Sequence, residues 1–215
     1  MGLRRVGIYG GTFDPVHNGH LEVARGVLKL FELDEVIFVP ACVPPHKRNA
    51  NITSAFHRFA MVALAVEADQ RLLVSTIELD APELPYAVDT VARMQDDSRR
   101  LFFIIGADSW SEITTWREWR RLIEMCDLIV VTRPGYAVAA QVDSIVDVRG
   151  QKQPAIARLI ENGTGPRVFI TDVAMIDVAA RETRAAVRAG DVEKLKSSVP
   201  LSVAAYIEKH GLYKN

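Results

Sequence analysis

The sequence predicts an α/β protein built on a doubly wound parallel sheet. Three observations carry that prediction. Short, continuously apolar segments of strand character alternate with segments of helical apolar spacing along most of the chain. The apolar segments lack in–out alternation, as expected of strands covered on both faces. Residues with chemistry to offer fall just after the strand segments, where open sheets of this kind bind ligands.

Taken in order, residues 6–9 read as a first buried strand, broken by Gly10-Gly11. The helix that follows opens at His17 and carries Leu21, Ala24, Leu28 and Phe31 on its apolar face. Residues 35–40 form a second strand ended by proline, and 41–51 are too polar and proline-rich for regular structure. Thr53 or Ser54 caps a helix with Phe56, Phe59, Val62, Ala63 and Val66 inward. Residues 72–77 are a third strand, 80–85 a loop and 87–94 a helix. Residues 101–105, stopped by Gly106, carry the strongest strand signal in the chain. Residues 110–125 are helical with a break, and 127–132 are a strand halted by Pro134-Gly135. The signals over 137–165 are weak, so that segment reads as irregular or inserted. A last strand covers 167–171, and helices over 182–189, 192–196 and 201–209 follow, with Gly190 and Gly211 as stops. Residues 1–215 are read as one domain, helical from about 178 onward.

Composition narrows the function classes. The chain has 215 residues, 49% hydrophobic and 25% charged, enough for an ordinary globular core. A formal net charge of −1 gives no bulk attraction to nucleic acid or an anionic membrane, so neither is expected as a partner. A polyanionic substrate would have to be held by local features. Cys42 and Cys126 lie far apart and form no Cys-x-x-Cys pair, which argues against structural zinc and a disulfide framework. Met1-Gly-Leu-Arg-Arg5 leads straight into a strand, and no apolar run is long enough for a span, so a cytoplasmic location is expected.

The stretch Gly10-Gly-Thr-Phe-Asp-Pro-Val-His-Asn-Gly-His20 is the centre of the functional reading. A strand, a glycine turn and a helix start together present free backbone N–H groups and the positive end of a helix dipole, which attract phosphate. Gly10 and Gly11 let a ligand approach the backbone, and Gly19 keeps bulk away between His17 and His20. The His spacing puts both imidazoles on one side of the first helical turn. There they can donate hydrogen bonds to charge building on a phosphoryl group. One such histidine alone would read as an ordinary surface or capping residue. A dinucleotide fingerprint is disfavoured, because Gly7-Ile-Tyr-Gly-Gly11 has the wrong spacing and residues 12–16 intervene before the helix.

This segment resembles the signature of the nucleotidyltransferase superfamily with the H-x-G-H motif, and within it bacterial nicotinate-nucleotide adenylyltransferase. The resemblance implies a Rossmann-like sheet of nucleotidyltransferase type with a helical C-terminal part. It implies transfer of AMP from ATP to nicotinate mononucleotide, giving nicotinate adenine dinucleotide and pyrophosphate. His17 and His20 would serve the phosphate bridge, and Gly10, Gly11, Thr12 and Phe13 would supply backbone contacts to ATP. Gly106 and Asp108, in Gly106-Ala-Asp-Ser-Trp110, would lie against the adenosine and the pyridine ring, with Asp108 otherwise a helix cap.

Other segments match with departures. Pro44-Pro-His-Lys47 resembles the family's active-site wall, so His46 and Lys47 are substrate-binding candidates, or else a solvated loop. Residues 85–90 resemble a family segment written Ser-Tyr-Thr-x-Asp-Thr that helps bind the mononucleotide: Tyr86, Asp89 and Thr90 match, whereas Pro85 and Ala87 do not. Trp110, Trp116 and Trp119 read first as core residues, with Trp116 singled out for stacking. Arg133, in an Arg-Pro-Gly turn, is expected on the mononucleotide side. The family's late Ile-Ser-Ser-Thr-x-Ile-Arg segment is here Val178-Ala-Ala-Arg-Glu-Thr-Arg184, which replaces the three hydroxyl residues. Arg184 keeps the charge, and Arg181 can substitute as a phosphate ligand.

The implied mechanism is direct attack by the mononucleotide phosphate, with catalysis by alignment and charge stabilisation. Magnesium is expected to arrive with the triphosphate rather than in a site of protein ligands. Two other readings stay open: a relative acting on nicotinamide mononucleotide or phosphopantetheine, and a nucleotide-binding module without catalysis. A homo-oligomer is equally open.

Overall fold

The computed structural model describes residues 2–43, 52–81, 83, 85–132, 138–139, 141–173 and 178–214. Within them the chain runs β1 (Arg4–Gly11), α1 (Asn18–Leu30), β2 (Glu35–Pro40), α2 (Ala55–Val66), β3 (Leu72–Val74) and α3 (Ala87–Met94). It continues through β4 (Arg99–Gly106), α4 (Ala107–Ser111), a 3-10 turn at Ile113–Thr115, α5 (Trp119–Met125) and β5 (Asp127–Val131). Then come β6 (Ile145–Asp147), α6 (Gln153–Glu161), β7 (Val168–Thr171), α7 (Ala180–Ala189), α8 (Val192–Ser198) and α9 (Leu201–His210).

The strands form one sheet in the order β3-β2-β1-β4-β5-β7-β6, and every described pairing is parallel. The order reverses between β1 and β4, which leaves a crevice beyond their carboxyl ends. Side-chain alternation divides the core. Val6 and Ile8 of β1 with Phe103 and Ile105 of β4 pack under α3, α4 and α5. Tyr9, Phe38, Phe102 and Ile104 point the other way, to α1, α2, α6, α8 and α9. The absence of polar alternation in these strands follows directly from this double cover.

The boundaries differ from the sequence reading in instructive places. Gly10 and Gly11 do not break β1: they pair in register with Val39 and Pro40, and Ala41 N–H donates to Gly11 O at 2.9 Å. Neighbouring strands supply the ladder that glycine propensity argues against. β3 ends at Val74, where Ser75 and Thr76 begin a turn closed by Asp80 N–H to Thr76 O. In α2 the inward face is Arg58, Met61, Val62, Ala65 and Val66, and Phe56 is 76% exposed. The break expected in 110–125 is real, and Glu118 turns left-handed before α5 (φ 51°). Within the segment read as irregular or inserted, the described residues include edge strand β6 and helix α6. Their signals are weak because β6 has three residues and α6 buries only Ile156 and Ile160. Gly190 and Gly211 cap α7 and α9 in the left-handed region, as expected. Among the described residues no helix is long and apolar enough to cross a membrane.

Candidate active site

A cavity of about 350 Å³ opens at the point where the sheet order reverses. Gly10, Gly11 and Thr12 from the end of β1 and Phe103, Ile105 and Gly106 from β4 form one side. Tyr86 and Ala87 at the start of α3, Glu78, and the 109–117 segment with Trp116 complete it. Trp116 stands edge-on to Phe103, with ring centroids 6.4 Å apart. The Arg117 guanidinium lies 5.0 Å from the Tyr86 ring centroid. Such a slot, apolar and aromatic with a few polar groups, suits a flat heteroaromatic ligand. Glu78 accepts a hydrogen bond from Thr90 Oγ1 at 2.7 Å, and burial pushes its carboxyl above the ordinary range.

Beyond Thr12 the chain turns into α1. Phe13 is left-handed (φ 50°) and folds its ring back over Gly11, where a Cβ would meet ring atoms at 2.8–3.1 Å. Gly11 therefore serves first to admit Phe13. His17 is the extended residue that starts the helix, and its N–H donates to His20 Nδ1 at 3.2 Å. The two rings stack with centroids 3.6 Å apart, while Phe13 and Tyr9 meet His20 edge-on at 5.0 and 6.1 Å. Burial, reinforced by His17, holds His20 well below the ordinary histidine range. His20 is thus neutral at pH 7, and with Nδ1 accepting, its proton is on Nε2. A neutral N–H aimed from a helix start can bind phosphate oxygen without a permanent ion pair.

Backbone carbonyls around this turn are tied together by Arg58, which is 1% exposed. Its guanidinium donates to Thr53 O, Thr12 O, Ala41 O and Cys42 O at 2.9, 2.7, 2.6 and 3.0 Å. Asp14 is buried as well, and its carbonyl accepts from Arg184 Nη1 at 2.6 Å.

Residues 8–193 match the model of the cytidylyltransferase-like family. A relative from Citrifermentans bemidjiense, named "probable nicotinate-nucleotide adenylyltransferase", is 37% identical over 216 residues, covering 97% of this chain and 98% of its own. One of the same name from a Thermoanaerobacter species is 37% identical over 213 residues, covering 98% and 94%. The chain belongs to the nicotinate-nucleotide adenylyltransferase family. Its fold is also that of the Plasmodium falciparum nicotinic acid mononucleotide adenylyltransferase complexed with NaAD. That structure is 18% identical at a TM-score of 0.72, and the match covers 98% and 97% of the two chains.

Against this family's motifs the predicted residues separate into groups. Gly10, Gly11, Thr12, Gly106, Tyr86 and Trp116 line the cavity. His17, His20, Phe13 and the buried Gly19 cluster beside it, at the start of α1. Arg184 joins them through Asp14. Asp89 and Thr90 are not part of the lining. Asp89 Oδ2 accepts from Tyr86 N–H at 3.0 Å, a helix-capping role, and Thr90 is buried behind Glu78. Asp108 is exposed in the first turn of α4, whose cap is Gly106, and is not part of the lining. Arg181 is exposed at the start of α7. His46, Lys47 and Arg133 lie outside the described residues.

Sequence reasoning missed Glu78, Arg58, Asp14 and Tyr213. The apolar periodicity of α2 does contain a signal for Arg58, since a charged residue three positions before Met61 falls on the buried face. The others have none, because their partners are 12 to 199 positions away.

Proposed function

We propose that this chain transfers the adenylyl group of ATP to nicotinate mononucleotide, releasing pyrophosphate and forming nicotinate adenine dinucleotide. The carrying observation is that residues 10–12 belong both to the aromatic cavity and to the turn that presents the stacked imidazoles. An acceptor ring in the cavity would place its phosphate near the helix start. The names of the relatives support the reading, as do the solved neighbours with NaAD and with APC.

In the reaction a phosphate oxygen of the mononucleotide attacks the α-phosphorus of ATP. The new P–O bond forms as the bond to pyrophosphate breaks, and the charge leaves with pyrophosphate. The nucleophile is already ionised, so alignment and charge stabilisation carry the rate. His20 Nε2–H and the start of α1 face the bridging phosphate, and Arg184 holds the β,γ end with Arg181 as a second cation. Among the described residues no three His, Cys, Asp or Glu side chains gather into a metal site. Magnesium, carried in with the triphosphate, would supply charge neutralisation of the departing pyrophosphate when bound. ATP and nicotinate mononucleotide are the proposed partners, and the cytoplasm the proposed compartment.

The test is pyrophosphate release from ATP with nicotinate mononucleotide, nicotinamide mononucleotide and phosphopantetheine in parallel. Highest kcat/KM with the nicotinate substrate supports the reading. A clear preference for another acceptor moves the chain to that substrate. ATP binding with no release for any acceptor makes it a non-catalytic module.

A further inference from the structure

We propose that Tyr213, in the turn that follows α9, is a positioning residue for the phosphate-binding junction, fixing Asp14 and through it Arg184. The inference rests on the adenylyl-transfer reading for the role of Arg184.

The turn is built to deliver this side chain. Gly211 ends α9 in the left-handed region (φ 61°), and Leu212 N–H closes back onto Ile207 O at 3.1 Å. Tyr213 is itself left-handed (φ 65°), a conformation that costs a non-glycine residue energy and needs compensating contacts. Its hydroxyl donates to Asp14 Oδ1 at 2.7 Å, across 199 positions of sequence. Asp14 is 7% exposed, so its carboxylate depends on protein donors. The other oxygen, Oδ2, has the Thr53 N–H at a longer 3.4 Å. Tyr213 is therefore the short anchor of this buried charge.

The same residue is gripped from its backbone side, where Arg184 Nη1 donates to the Asp14 carbonyl at 2.6 Å. Asp14 lies between left-handed Phe13 and the His17 helix start, on the stretch that joins cavity and imidazoles. Burial and the Asp14 charge hold the Tyr213 phenol above its ordinary range, which keeps it a donor at any working pH. Without that hydroxyl, Oδ1 loses its short donor and the carboxylate must shift toward Thr53 or solvent. That moves the carbonyl from which Arg184 takes its orientation. The cavity wall made by Tyr86 and Trp116 is untouched, so the acceptor ring keeps its seat and the loss falls chiefly on ATP, whose β,γ end Arg184 holds.

Tyr213→Phe keeps the ring and removes the bond. ATP binding is measured by calorimetry without acceptor, on protein matched for folded fraction by circular dichroism, alongside KM for each substrate. The expected result is an ATP Kd raised about tenfold, from loss of one hydrogen bond to a charged group, with KM for nicotinate mononucleotide unchanged. A wild-type Kd in the folded variant, or equal shifts in both KM values, overturns the proposal whatever the melting temperature does. Should Tyr213→Phe not fold, Asp14→Asn weakens the same bond. A raised ATP Kd in Asp14→Asn then supports the proposal, and an unchanged one overturns it. Wild-type protein that binds no ATP would overturn the adenylyl-transfer reading instead.

Discussion

The His17 and His20 rings lie 3.6 Å apart and within 23° of parallel, and the His17 N–H donates to His20 Nδ1 at 3.2 Å. On the proposed adenylyl-transfer reading, this bond leaves His20 Nε2–H as the donor for phosphate. His20→Ala is expected to lower kcat in the pyrophosphate-release assay by about 10²–10³, the usual loss for one donor aimed at developing charge. The circular dichroism spectrum should be unchanged. Turnover within threefold of wild type would refute the role.

The depressed pKa of His20 gives stability a direction with pH. As pH falls through the ordinary histidine range, near 6.5, the unfolded chain gains a proton there that the native chain does not. Unfolding is then favoured, so this contribution is level above about pH 6.5 and is lost progressively below it. Melting temperatures at pH 7.5 and 5 should show a larger drop for wild type than for His20→Gln. Equal drops would mean that His20 titrates normally.

Glu78 has the opposite sign. Its carboxyl is raised by burial, so the native chain holds a proton more tightly than the unfolded one. Its favourable contribution is complete below the ordinary carboxyl pKa and fades as pH rises through the native value. Glu78→Gln retains an acceptor for Thr90 Oγ1, and should therefore equal or exceed wild type in melting temperature at pH 7. The difference should shrink at pH 4.

Arg58 is a structural cation. It is 1% exposed and has four carbonyl partners, so its removal takes the guanidinium donor from half-buried carbonyls on three loops. Arg58→Met is expected to reduce unfolding free energy by about 3 kcal/mol or more in urea titrations. A loss under about 1 kcal/mol would show that the loops keep their shape without it.

Trp116 presents a half-buried ring in the cavity wall beside Phe103. Trp116→Ala should raise KM for nicotinate mononucleotide about tenfold, the size of one lost aromatic contact, with KM for ATP little changed. A rise confined to ATP would place the acceptor elsewhere.

Much of this was legible along the chain because it depends on local periodicity. Apolar runs such as 101–105 and 128–131 have one stable use, in a sheet covered twice, and a glycine bend before a helix start with two histidines points to phosphate. Those features determined the fold class, the order of most elements and the place of the glycine–imidazole junction. Short or lightly buried elements, β6 and α6, were illegible because packing rather than propensity stabilises them. Asp89 and Thr90 fit a substrate motif in sequence, but the fold uses them as a helix cap and as the partner of Glu78. Only the tertiary structure decided the burial of Arg58 and the reach of Tyr213 to Asp14. Each depends on groups that chain closure brings together, and a buried polar group takes its role from the partners it finds there.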